Sequence, residues 1–156
     1  MLYNHSGMNV SAATFDRESQ AMPFVVDVKL YWAPCATLQE ADYLTAVLNS
    51  ETVNAAIKPF QSVGLLGERD IHKKLLELPI PLFSSRESEH LKLSKHGEDA
   101  RKKALDAVST PHFPLNSSIA TQRAFVRKAL KNEMKSIDDL VFAENAPSDA
   151  PLCGRH

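Results

Sequence analysis

Two unlike residue periods meet at Ala33-Pro34, and their meeting sets the fold class. Before it, Phe24, Val26, Val28, Leu30 and Trp32 alternate with Val25, Asp27, Lys29 and Tyr31, the two-residue period of a strand with one buried face. After it, Thr37-Leu38-Gln39-Glu40 matches a capping box, in which the Thr37 hydroxyl takes the Glu40 amide and the Glu40 carboxylate returns to the Thr37 amide. Leu38, Ala41, Tyr43, Leu44, Val47 and Leu48 then fall on one helical stripe. Asn49-Ser50 stops that helix and caps a second through Val53 and Ile57, which Pro59 ends. The expected fold is α+β: a small mixed or antiparallel sheet covered by helices, with a helical C-terminal half.

Downstream, Phe60 to Asp70 has no clean period and carries Gly64 and Gly67, expected to take positive φ or allow a close backbone approach. Leu76, Leu78, Ile80 and Leu82 alternate with Glu77, Pro79 and Pro81, which predicts an edge strand whose prolines face away from any ladder. A third helix follows Ser84-Ser85, with Leu93, Gly97, Ala100, Ala104 and Ala107 as its small-residued stripe. Pro111 and Pro114 mark a linker. Ala120 to Phe142 then reads as one helix with Val126, Leu130, Met134, Ile137 and Val141 on one face. The expected organisation is a loose lead-in over 1–22, an α+β unit over 23–108, a C-terminal helix over 109–142 packed on it, and a flexible tail over 143–156.

Composition narrows the function classes. The 156 residues are 44% hydrophobic, enough for one domain with a real core. Lysine plus arginine number 18 against 19 acidic residues, so a net charge of −1 gives no global pull toward nucleic acid or an anionic membrane. Cys35 and Cys153 sit far apart in unlike settings, as in a reduced cytoplasmic protein, and no apolar run approaches the roughly 20 residues of a membrane-spanning helix. No Cys, His or carboxylate set has a metal-ligand spacing, so neither metal nor cofactor is expected. Cys35 has no neighbouring helper and reads as a packed thiol.

The order of short blocks carries a resemblance. Leu30-Tyr31-Trp32-Ala33-Pro34, Glu40-Ala41-Asp42-Tyr43-Leu44, Leu48-Asn49-Ser50, Ile57-Lys58-Pro59-Phe60-Gln61, Gly64 to Lys74 and Leu76-Glu77-Leu78-Pro79-Ile80-Pro81 follow one another. In that order they resemble the C-terminal target-recognition region of adenine-specific DNA methyltransferases. They are also similar to the specificity subunits of type I restriction systems, where a Leu-Asn-Ser helix precedes a glycine-containing loop and a strand ending in Ile-Pro. The resemblance runs from about Val25 to Val141 and implies recognition of double-stranded DNA beside a methyltransferase domain or subunit. The family's S-adenosylmethionine loop and Asn-Pro-Pro-Tyr type motif do not occur in these 156 residues, so no catalysis is expected of them.

Local charge points to the same region. Lys58, Arg69, His72, Lys73 and Lys74 outnumber Glu68 and Asp70. Lys73 and Lys74 suit phosphate contacts, while Arg69 and Gln61 offer paired donors to guanine and adenine edges. His72 donates to a phosphate or caps a turn. A solvated turn with Arg69 paired to Asp70 or Glu68 is the plain alternative. Lys92, Lys95, Arg101, Lys102 and Lys103 in the third helix read as a mixed solvated face, given the acids among them. Of Tyr31 and Trp32, an alternating strand leaves at most one for base stacking. The alternative function is a protein-interaction module whose helices, from Glu87 and from Ala120, dock on a partner subunit.

Overall fold

A computed structural model describes residues 1–64, 67, 68, 71, 75 and 77–144, without the side chains of 63, 64, 67, 68 and 142–144. The fold is α+β. Three short antiparallel strands, β1 (Leu2–Asn4), β2 (Ala12–Ala13) and β3 (Leu30–Trp32), lie in the order β2-β1-β3. Leu2 sits opposite both Ala13 and Trp32, and Tyr3 opposite Ala12 and Tyr31. Helices α1 (Leu38–Asn49) and α2 (Glu51–Ile57) follow, then a 3-10 turn at Lys58–Phe60 and a two-stranded hairpin, β4 (Val63–Gly64) with β5 (Gly67–Glu68). Helices α3 (Ser88–Val108), α4 (Ile119–Ala129) and α5 (Lys131–Glu144) complete it.

Residues 1–22, expected as a loose lead-in, instead supply the centre of the sheet. Met1, Tyr3 and Val10 are buried in the core. Their anchors are polar and distant in sequence, which is why no local period announces them. Asn49 Oδ1 accepts from the Ala12 amide at 3.0 Å and its Nδ2 donates to the Ala12 carbonyl at 2.9 Å, so one side chain pairs with β2 as a neighbouring strand would. Asn54 Oδ1 accepts from the Val10 amide at 2.7 Å.

The strand expected from Phe24 to Trp32 shortens to Leu30–Trp32, and Phe24, Val25 and Val28 are exposed. β1 spans only three residues and pairs no further than Leu30, so the alternation upstream has no ladder to join. The Leu76–Leu82 edge strand is corrected too. Leu76 lies outside the described residues, and 79–84 carry no ladder. The alternation sorts the side chains only as far as Pro81: Leu78 and Ile80 pack on the core while Pro79 and Pro81 face out, but Leu82, expected inward, is exposed and Phe83 packs in its place. Prolines supply no N–H for pairing, and the Pro81 carbonyl instead accepts from the buried Tyr43 hydroxyl at 3.1 Å.

The helix starts follow their caps. Thr37 Oγ1 accepts from the Glu40 amide at 3.1 Å, but the Glu40 carboxylate returns to the Ala36 amide at 2.6 Å, one residue earlier than a capping box predicts. Ser50 is fully buried, accepts from the Val53 amide and donates to the Val47 carbonyl, closing α1 and opening α2 with one hydroxyl. Pro59 ends α2 as expected, leaving the 3-10 turn.

The core lies between α1 and α3, with α5 and α2 closing it. Leu93, Gly97 and Ala107 are buried along the predicted stripe of α3. The single helix expected over Ala120–Phe142 is two, because the backbone breaks at Leu130. No proline or glycine marks that break. The apolar period runs through it, while α4 packs mainly on α3 and α5 reaches α1 and α2 as well.

Candidate nucleic-acid interface

The loop between the 3-10 turn and Leu75 is tied down at both ends to one turn of the N-terminal segment. Gln61 Nε2 donates to the Gly7 carbonyl at 3.0 Å, and Lys58 Nζ to the Met8 carbonyl at 2.9 Å. On the far side the Ile71 amide donates to the His5 carbonyl at 3.1 Å, and Ile71 and Leu75 are completely buried. β4 and β5 pair between these ties, Val63 with Glu68 and Gly64 with Gly67.

The turn itself is held from inside by Asn4, buried in β1. Its Nδ2 donates to the Ser6 and Asn9 carbonyls at 2.9 and 3.1 Å, and its Oδ1 accepts from the Ser11 amide at 2.7 Å. Gly7 takes φ of 141°, a conformation side chains disfavour, and a Cβ there would stand 3.1 Å from Asn4 Nδ2. In the amide orientation that satisfies both its ends, Asn9 donates to the Met8 carbonyl at 3.0 Å and accepts from Arg127 Nη1 at 2.9 Å. Lys58 and Arg127, 69 positions apart, thus flank the same two residues.

Of the six residues singled out in the sequence, two are placed. Lys58 lies beside Met8. Gln61 is only 6% exposed, with its amide turned to Gly7, so it shapes the loop's root and presents no donors to a base edge. Arg69, His72, Lys73 and Lys74 lie outside the described residues. Trp32 is 65% exposed on the edge strand β3, whereas Tyr31 is half-buried against the rings of Tyr3 and His5 at 5.2 and 5.3 Å. Trp32 is therefore the member of the pair open to stacking.

The remaining cations fall into two sets. On α3 each is neutralised: Lys92 by Glu89, Lys95 by Glu98 and Asp99, Lys102 by Glu98, and Lys103 by Glu133. Arg101 forms a two-pronged pair with the buried Asp42, both bonds 2.9 Å. The titration behaviour follows: Lys102 and then Lys95 pull the Glu98 carboxyl down to about 2, Lys103 lowers that of Glu133, and Asp42 raises the Arg101 guanidinium. On α4 and at the start of α5, Arg123, Lys128 and Lys131 are exposed and make no ion pair among the described residues.

A sequence signal for this second set exists. Between Asp106 and Glu133 there is no acidic residue, while Arg123, Arg127, Lys128 and Lys131 all fall in that interval. A net charge summed over the whole chain conceals it.

Among the described residues no three His, Cys, Asp or Glu groups are placed to hold a metal ion, and no helix is long and apolar enough to cross a membrane. Cys35 is half-buried beside the Ala33 carbonyl, and burial pushes its thiol pKa up. Compared with known proteins, the chain matches no family model, no curated protein and no solved structure.

Proposed function

We propose that this chain is the non-catalytic DNA target-recognition or DNA-clamping domain of a restriction-modification DNA methyltransferase. In this reading it is a cytoplasmic protein that holds duplex DNA for a methylating domain or subunit carried elsewhere. The observation that carries the reading is the tied root of the 58–74 loop, bonded through Lys58, Gln61 and Ile71 to the turn that Asn4 braces. A loop that reads bases needs its ends held by packed structure, so that its side chains keep one register along the groove. The blocks behind the methyltransferase resemblance supply this root: Asn49 holds β2, Ser50 joins the two helices, and Lys58 and Gln61 hold the turn. Phosphate contact then falls to Lys73 and Lys74, and base contact to Arg69.

The test is a duplex-binding titration of the full chain carrying Lys73→Ala with Lys74→Ala. A weaker complex with an unchanged far-UV spectrum is the expected result. Unaltered affinity in a chain that binds duplex would remove the loop from the interface.

A second reading, docking on a methyltransferase or other partner subunit, draws on Leu105, Val108, Leu115 and Ile119, all exposed at the end of α3 and the approach to α4. A dimer or partner complex that persists at high salt in light scattering favours that reading. A monomer whose duplex affinity falls steeply with salt favours the first.

A further inference from the structure

We infer that α4 forms a second contact face for the phosphate backbone of duplex DNA, with Arg123 and Lys128 on the helix and Lys131 just beyond it as its cations. This rests on the reading that the chain meets DNA, and it adds a site that lies more than 45 residues beyond the loop in sequence. The contrast between the two basic helices carries it. The lysines and Arg101 of α3 already have carboxylate partners, so a polyanion gains little there. Arg123, Lys128 and Lys131 have none among the described residues, and α4 contains no acidic residue.

Helical geometry groups these charges. Arg123, Arg127 and Lys128 stand at spacings of four and five residues, on one side of α4. Phe125, on the other side, meets the Phe113 ring edge-on at 5.7 Å, and Val126 is half-buried. From Arg123 to Lys128 the helix rises about 7.5 Å, over which one strand of a duplex presents about two phosphates. Arg127 connects the face to the loop's root, because its Asn9 partner also bonds the Met8 carbonyl that Lys58 holds. One continuous surface thus joins α4 to the root of the 61–71 loop.

The same geometry argues against a membrane surface as the ligand. A helix lying in a bilayer interface needs its apolar face in contact with lipid, and Phe125 and Val126 are half-buried, Phe125 against Phe113, which leaves Ile119 as the exposed large apolar residue of α4. Because the chain as a whole carries a net charge of −1, a local excess of cations also orients it: a polyanion is drawn toward this face rather than to the molecule at large.

The experiment is fluorescence anisotropy of a labelled mixed-sequence duplex across a potassium chloride series. It compares the full wild-type chain, R123Q/K128Q/K131Q, and a control, K92Q/K95Q/K102Q, that removes the same number of lysine or arginine charges from α3. Glutamine keeps helix propensity, and all six positions are exposed, so far-UV circular dichroism should be unchanged. The expected result is that the α4 variant binds about tenfold or more weakly at low salt and its log–log salt slope falls by about 2 to 3, whereas the control stays within about twofold of wild type. An α4 variant with wild-type affinity and slope, while Lys73→Ala with Lys74→Ala binds weakly, overturns this inference and leaves the loop reading standing. Equal losses in the α4 variant and the control overturn it as well, since position would then be irrelevant. Failure of the wild type to bind duplex at low salt overturns both, and capture of that same chain by anionic vesicles would assign α4 to lipid.

Discussion

Gly97 of α3 lies directly against the Asp42 carbonyl of α1, so close that a Cβ on Gly97 would overlap that oxygen and stand 3.3 Å from Ala46 Cβ. This contact sets the separation of the two helices that enclose the core. Gly97→Ala forces them apart, because the obstructing atoms are backbone and cannot rotate away. We expect a loss of about 3 kcal/mol or more in urea unfolding, against a gain from helix propensity of about 1 kcal/mol at an unhindered site. A variant as stable as wild type would mean that α1 and α3 pack more loosely than described.

One turn further along, Arg101 reaches back to the same residue. The Asp42 side chain is 4% exposed and holds both prongs of the guanidinium. Arg101→Ala leaves a buried carboxylate without its partner, at an expected cost of about 3 kcal/mol. Replacing both, as Asp42→Asn with Arg101→Met, should cost less than Arg101→Ala alone, since no unpaired charge remains. Denaturation midpoints of the variants decide this. A double variant worse than the single one contradicts it.

The Asn49 amide stands in for a strand beside β2. Asn49→Ala removes bonds to both the amide and the carbonyl of Ala12, with an expected loss on the order of 2 kcal/mol. Hydrogen exchange at the Ala12 amide should accelerate well beyond the change in global stability. Uniform acceleration across the molecule would show that the clamp serves only the overall fold.

Asp138 supplies a pH dependence. Burial raises its pKa above the ordinary aspartate value, a 2.6 Å bond from the Glu51 amide lowers it, and the Glu51 and Asp139 charges raise it again. With the folded pKa above the unfolded one, the contribution to stability is full below the unfolded value and is lost as pH rises through the folded value, from about pH 4 upward. Asp138→Asn keeps an acceptor for Glu51 without the charge. Its stability relative to wild type should therefore climb between acid and neutral pH, as read from urea midpoints across that range. A flat difference would contradict the assignment.

What the sequence disclosed and what it concealed divide along one line. Caps, stripes and prolines act within a few residues, so the starts of α1 and α2, the end of α2, the stripe of α3 and the inward Leu78 and Ile80 were readable. The N-terminal sheet was not, because Asn49, Asn54 and Gln61 hold it through bonds spanning 37, 44 and 54 positions. The break at Leu130 stayed hidden because no proline or glycine marks it and the apolar period runs through it. In the candidate interface, local charge drew attention to Lys58 and paired amide donors to Gln61, yet Gln61 is a buried brace. The cations of α4 are visible in the sequence, but only the lack of ion-pair partners among the described residues distinguishes them from those of α3, and pairing is tertiary information.

The measurement that tests the central claim most directly is anisotropy of a labelled mixed-sequence duplex titrated with the full wild-type chain at low and near-physiological salt. The account predicts binding at micromolar protein that weakens steeply as salt rises, as phosphate contacts by Lys73, Lys74 and the α4 cations require. Absence of binding even at low salt would contradict DNA recognition by this chain and move the assignment to docking on a partner subunit.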